Sequence, residues 1–119
     1  MRISFCCSDT KAQPWVDGLK AAFPDADVTL WTTGMEPADY AVVWAPPQQF
    51  FDEQKTLKGI FNIGAGVDAL MKLQLPAGVP VVRLDDAGMS AQMAEYVCHA
   101  VIRHLRELDA YEADVAKVV

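Results

Sequence analysis

The sequence predicts an α/β fold built on an open parallel sheet, and three observations predict it. Short apolar runs of strand length alternate with helix-length amphipathic segments, the pattern of successive βαβ units. The strand-like runs are apolar throughout rather than alternating, as expected when both faces of a sheet are covered. The chain has 119 residues, 52% of them hydrophobic, which suits one compact domain with a real core and is short for two.

Each element follows from local pattern. Arg2 to Cys7 reads as a buried strand. Lys11 to Phe23 reads as a helix with Trp15, Val16, Leu19, Ala22 and Phe23 on one face. Pro14 falls in its first turn, where a missing N–H does no harm, and Pro24-Asp25 ends it. Val28 to Trp31 is the second strand and Tyr40 to Trp44 the third, stopped by Pro46-Pro47. Phe50 to Leu57 is a short helix or turn, and Gly59 to Ile63 the fourth strand. Val67 to Leu73 is a short helix closed before Pro76-Ala77-Gly78, and Val79 to Leu84 is the fifth strand. Right-handed crossovers place helices on both faces, giving a small flavodoxin-like sheet of about five strands.

The polar hinge Asp85-Asp86-Ala87-Gly88 leads into one long helix from about Ser90, its plausible N-cap, to Lys117. Met93, Val97, Ala100, Val101, Leu105, Leu108, Tyr111 and Val115 form its apolar stripe. A helix of ~28 residues spans roughly 42 Å, longer than the ~35 Å diameter of a globule this size. Either the end of the helix frays, or the stripe finds a partner in another subunit or a further domain, which is the expected reading. The expected division is residues 1–86 as a sheet domain and 87–119 as hinge and helix.

Charge and composition exclude several classes. A net charge of −6 argues against nucleic acid or an anionic membrane as partner. No apolar run approaches the ~20 residues of a membrane span, and the N-terminus is no signal peptide. Cys6, Cys7 and Cys98 are odd in number and read as buried thiols of a reduced, cytoplasmic protein. No metal site is predicted, because no His or further Cys stands at ligand spacing. His99 and His104 are five apart and share no helix face, while Glu95 and His99 do, as a solvated pair. The third strand ends in Trp44-Ala45 where a phosphoreceiver needs an acid, and Ser8-Asp9-Thr10 is a thin phosphate loop for a flavin.

The chemistry concentrates in Phe61-Asn62-Ile63-Gly64-Ala65-Gly66-Val67-Asp68. An apolar strand ends in Gly-Ala-Gly, a bend whose N–H groups suit a small anion. Gly64, Gly66 and Ala69 match the G-x-G-x-x-[GA] dinucleotide pattern, and Asp85 stands about twenty residues on. Against that reading, the following helix is short and Asp68 repels a pyrophosphate. A single carboxylate held by the N–H groups of Ala65, Gly66 and Val67 fits better, with glycine free to take positive φ and Asp68 capping the short helix. A turn that serves structure alone remains open. Trp44 closes a strand at its carboxyl end, where an indole either walls off a small ligand or simply fills core.

Three segments together resemble a known family. Ala41-Val42-Val43-Trp44-Ala45-Pro46-Pro47, the Phe61–Asp68 run, and Arg83-Leu84-Asp85-Asp86-Ala87-Gly88-Met89 with Gln92-Met93-Ala94-Glu95-Tyr96 are similar to the D-isomer-specific 2-hydroxyacid dehydrogenases. Within them the likeness is to the glyoxylate/hydroxypyruvate reductase A type, in its N-terminal portion. The resemblance implies a flavodoxin-like substrate domain, a Rossmann domain binding NADP or NAD, and a long helix that packs into a homodimer. It implies that the Gly66-Val67 amides hold a 2-oxoacid carboxylate and that Trp44 lines the pocket. The family's cofactor fingerprint and its catalytic Arg, Glu and His lie beyond the segment matched here. No catalytic or cofactor-binding role therefore passes to Arg83, Glu95 or His99, and the chain alone is expected to bind no dinucleotide and to be inactive. A stand-alone module dimerising through helix 90–117 is the alternative.

Overall fold

The computed structural model describes residues 1–9 and 11–118, so Thr10 of the Ser8-Asp9-Thr10 turn lies outside the described residues. These fall into two units, Met1–Asp85 and Asp86–Val119.

The first unit is a five-stranded sheet in the order β2-β1-β3-β4-β5, every neighbouring pair parallel. The strands are β1 (Arg2–Cys7), β2 (Asp27–Leu30), β3 (Tyr40–Trp44), β4 (Gly59–Asn62) and β5 (Val81–Arg83). The order reverses at β1, as in flavodoxin-type sheets, and ligands of such folds gather at the carboxyl edge. The central strands β1 and β3 divide their side chains between two cores. Ala41 and Val43 face Phe50 and Phe51 of α2 (Gln48–Glu53), with Cys6, Ile60 and Leu70. Ile3, Phe5 and Val28 face Val16 of α1 (Gln13–Ala22), with Tyr40 and Val42 at the margin. Helices therefore lie on both faces, as the strand pattern requires.

Several local expectations are corrected. In α1 only Val16 is buried, while Trp15 and Phe23 are exposed. Trp15 instead stacks on Phe5, with ring centroids 6.1 Å apart and planes 13° from parallel. The short helix after β4 is a single 3-10 turn, Leu70–Lys72. Asp68 does not cap it: the residue before it is Ala69, and no side chain bonds its end. Cys6 is buried, but Cys98 is exposed, so the thiols are not uniformly internal.

In the second unit the expected single helix is two, α3 (Met89–Leu105) and α4 (Leu108–Val118). Glu107 takes φ +52°, a left-handed conformation that ends a right-handed helix. The Arg106 and Glu107 N–H groups close α3 on the carbonyls of Ile102 and His104, and the Glu107 carbonyl opens α4 by accepting from Ala110 and Tyr111. Arg103 bridges the corner. Its guanidinium donates to Glu112 at 2.9 and 2.5 Å and pairs with Asp109. A separation of nine residues is ~13 Å along a straight helix, so the bend is what lets Arg103 and Glu112 meet. The N-cap position expected of Ser90 falls to Gly88, and Asp86, two residues before it, accepts through its carboxylate from the Ser90 N–H at 2.7 Å and the Ser90 hydroxyl at 2.8 Å. These bonds hold the Asp86 carboxyl below its usual range. The stripe residues Met93, Val97, Val101, Leu105, Tyr111 and Val115 are all exposed, and no residue of α3 or α4 is buried.

Candidate functional site

The glycine bend follows β4 at the carboxyl edge of the sheet. Its geometry is set from inside. Asn62, the last residue of β4, is 5% exposed. Its Nδ2 donates to the carbonyls of Gly64 at 2.8 Å and Gly66 at 3.0 Å. Arg83, its register partner on β5, donates through Nη1 to the Ala65 carbonyl at 3.3 Å. Three consecutive carbonyls thus have protein donors. Among the described residues no protein acceptor takes the N–H of Ala65, Gly66 or Val67.

Trp44 comes to the same place. It ends β3, the neighbour of β4, and its half-buried indole lies against Gly64. A Cβ at position 64 would sit 2.2 Å from Trp44 Cζ3. The backbone turns sharply behind the indole: Ala45 takes φ +46°, and its carbonyl accepts from Ser8 Oγ at 2.5 Å. The Ser8 N–H donates to the Trp44 carbonyl at 3.3 Å, so Ser8 ties the ends of β1 and β3 together.

The four residues expected at the site, Trp44, Ala65, Gly66 and Val67, therefore share one edge. Gly66 is exposed with open space where a Cβ would go, and Ala65 and Val67 are half-buried. One expectation about the bend is corrected. Neither Gly64 nor Gly66 takes positive φ. Glycine is required at 64 for the close approach of an aromatic ring, not for a left-handed backbone. Asn62 and Arg83, which hold the bend, are the residues of the candidate site that pattern reading missed. The available signal was an amide residue closing an otherwise apolar strand, which is disfavoured unless its hydrogen bonds are met.

The dinucleotide alternative does not fit these residues. The bend leads into a three-residue 3-10 turn rather than a crossover helix, so no helix N-terminus faces a pyrophosphate. The indole also takes the space beside Gly64 that a diphosphate would need. Glu95 and His99 both lie exposed on α3 and make no bond to each other, and no cluster of three or more His, Cys, Asp or Glu residues able to hold a metal occurs among the described residues. No described helix is long and apolar enough to cross a membrane. A cavity of about 590 Å³ lies on the apolar sheet face between α1 and Phe61, Val82 and Leu84, and reaches Asn62 and Arg83 at one margin. Apart from Asn62 and Arg83, whose donors are turned to the carbonyls of the bend, its lining is mainly apolar, so the bend with its open amides is the candidate site.

No protein-family model matches the chain. Curated relatives do. A glyoxylate/hydroxypyruvate reductase A of Yersinia enterocolitica is 45% identical over 94% of this chain, and one of Serratia proteamaculans is 43% identical over the same share. The chain is related to the D-isomer-specific 2-hydroxyacid dehydrogenases. It spans 38% of the length of these curated relatives. Solved 2-hydroxyacid dehydrogenases share its fold. One from Xanthobacter autotrophicus, in complex with NADPH and MES, superposes with a TM-score of 0.77 at 36% identity over 98% of this chain and 39% of its own. An NADPH-dependent glyoxylate/hydroxypyruvate reductase from Sinorhizobium meliloti, in complex with NADP and sulfate, gives 0.72 at 30% identity, over 98% of this chain and 38% of its own. The dehydrogenase likeness thus extends over nearly all of this chain and under two-fifths of its relatives.

Proposed function

We propose that the chain is the substrate-domain part of an NAD(P)H-dependent 2-oxoacid reductase acting on glyoxylate, hydroxypyruvate or a similar short acid. The observation that carries this reading is the meeting of Trp44 with the glycine bend at the carboxyl edge of the sheet. There the amides of Ala65, Gly66 and Val67 donate to the substrate carboxylate. The half-buried indole of Trp44 forms a flat apolar wall that shields one side of the small acid from water. Amide donors are neutral, so they hold the carboxylate without the desolvation cost of a buried cation.

In the full-length enzyme NADP or NAD supplies the hydride. The cofactor and the acid–base groups that act on the carbonyl come from sequence outside these residues. Residues 1–86 then serve as the substrate domain segment, and residues 87–119 as the hinge and the helical segment leading to the cofactor domain and a homodimer. A reduced, cytoplasmic setting suits the three thiols. The 119-residue chain, purified and mixed with NADPH and glyoxylate, should oxidise NADPH at the background rate. Enzyme-dependent turnover refutes the assignment of the chemistry elsewhere.

The exposed stripe on α3 and α4 favours a second reading, an interaction module that associates through these helices with the glycine bend serving structure alone. Binding separates the two. Saturable, site-specific shifts of the Ala65–Val67 amides with a 2-oxoacid support the reductase part, and their absence supports the module.

A further inference from the structure

We infer that Asn62 and Arg83 are positioning residues that pre-set the direction of the three anion-binding amides by holding the three carbonyls of the bend. The inference rests on the carboxylate reading of that bend.

The geometry is specific. An Asn carboxamide has two N–H donors, and both are spent on one short loop, at the carbonyls of Gly64 and Gly66. The orientation of the carboxamide follows, since two carbonyls demand its nitrogen and not its oxygen. The intervening carbonyl, that of Ala65, is taken by Arg83. Among the described residues there is no cis peptide, so the C=O and N–H of each peptide unit in the bend point in opposite directions. Fixing the Gly64 and Gly66 carbonyls therefore fixes the N–H groups of Ala65 and Val67 on the side away from Asn62. Fixing the Ala65 carbonyl fixes the Gly66 N–H away from Arg83. The three peptide units held are those whose amides form the candidate site.

The two residues are also placed to act together. Asn62 and Arg83 are neighbours in register across β4 and β5, so the rigid sheet sets the spacing of their donors. An anion approaching the bend would be repelled by any carbonyl that swung toward it. Asn62 and Arg83 hold all three off before a ligand arrives, which removes an ordering cost from binding. Asn62 is buried and Arg83 exposed, so Asn62 is the stronger constraint.

The test uses the ¹⁵N-labelled 119-residue chain titrated with oxamate, an unreactive 2-oxoacid mimic, and followed at the Ala65, Gly66 and Val67 amides. Relaxation of the same amides is measured without ligand. Asn62→Leu, similar in size but without donors, should lower the order parameters of residues 64–67 while the strands keep theirs, and weaken oxamate about tenfold. Arg83→Lys should keep most of the affinity that Arg83→Met loses. If Asn62→Leu fails to give a folded spectrum, Asn62→Ser, which keeps one donor, carries the comparison. Wild-type mobility and affinity in the Asn62 variant overturn the positioning role. A wild-type chain whose bend amides ignore oxamate, with the Asn62 variant still loosening the loop, overturns the carboxylate reading and this inference with it.

Discussion

The indole of Trp44 occupies the space that a side chain on Gly64 would need. The two residues end neighbouring strands' reach at the same edge of the sheet, and a Cβ on Gly64 would lie 2.2 Å from Cζ3 and 2.9 Å from Cη2. The contact ties the identity of residue 64 to the identity of residue 44.

Gly64→Ala should therefore destabilise the fold by about 1–3 kcal/mol, the usual cost of overpacking, and shift the Trp44 fluorescence as the ring is displaced. Trp44→Leu combined with Gly64→Ala should recover part of that loss. Gly66→Ala, with open space at its Cβ, should stay within about 0.5 kcal/mol of wild type. Urea unfolding of wild type, Gly64→Ala, Trp44→Leu and the double variant measures the coupling, and additive effects at 44 and 64 count against the contact.

Association through the α3–α4 stripe predicts a dimer in solution. Replacing Leu105 and Leu108 with Asp should move the sedimentation of the chain toward monomer. A wild-type chain that already sediments as a compact monomer rules this association out.

Asp39 predicts an acid limb in stability. Its carboxylate accepts from Lys58 at 2.9 Å and from the Arg2 N–H at 2.8 Å, and these partners hold its pKa below the ordinary 3.8. A lowered folded pKa gives stability that is complete above the ordinary value and is lost as pH falls through the folded one. Urea midpoints of wild type and Asp39→Asn should thus differ most near neutral pH and converge as pH falls below the ordinary carboxylate range. A difference that persists unchanged in acid contradicts the assignment. Asp86 and Glu112 are shifted in the same direction, so the variant difference and not the wild-type curve is the measurement.

The thiols should react in order of exposure. Burial pushes Cys6 up to about 12, with the neighbouring Cys7 adding to the shift, whereas Cys98 lies exposed on α3. Iodoacetamide near neutral pH should label Cys98 well before Cys6, as peptide mass spectrometry can follow. Equal labelling of the two in the folded chain contradicts the burial of Cys6.

Much of this molecule was written in one-dimensional pattern. Unbroken apolar runs such as Tyr40–Trp44 betray a strand covered on both sides, because each face of the pleat must leave water. Their alternation with helix-length segments yields the parallel sheet, and the abrupt stops at Pro46-Pro47 and Gly64-Ala65-Gly66 mark its carboxyl edge. Three features needed the folded chain. Trp44 and Gly64 are twenty positions apart, and only the pairing of β3 with β4 lays one against the other. Asn62 and Arg83 became a pair because register aligned them, and register is a property of the whole sheet. The corner at Glu107 carries no Gly or Pro to announce it. It forms where Arg103 can reach Asp109 and Glu112 across a bend, at spacings of six and nine that no straight helix brings together. Periodicity records which side chains must leave water; it does not record which distant donor will meet which carbonyl once they have.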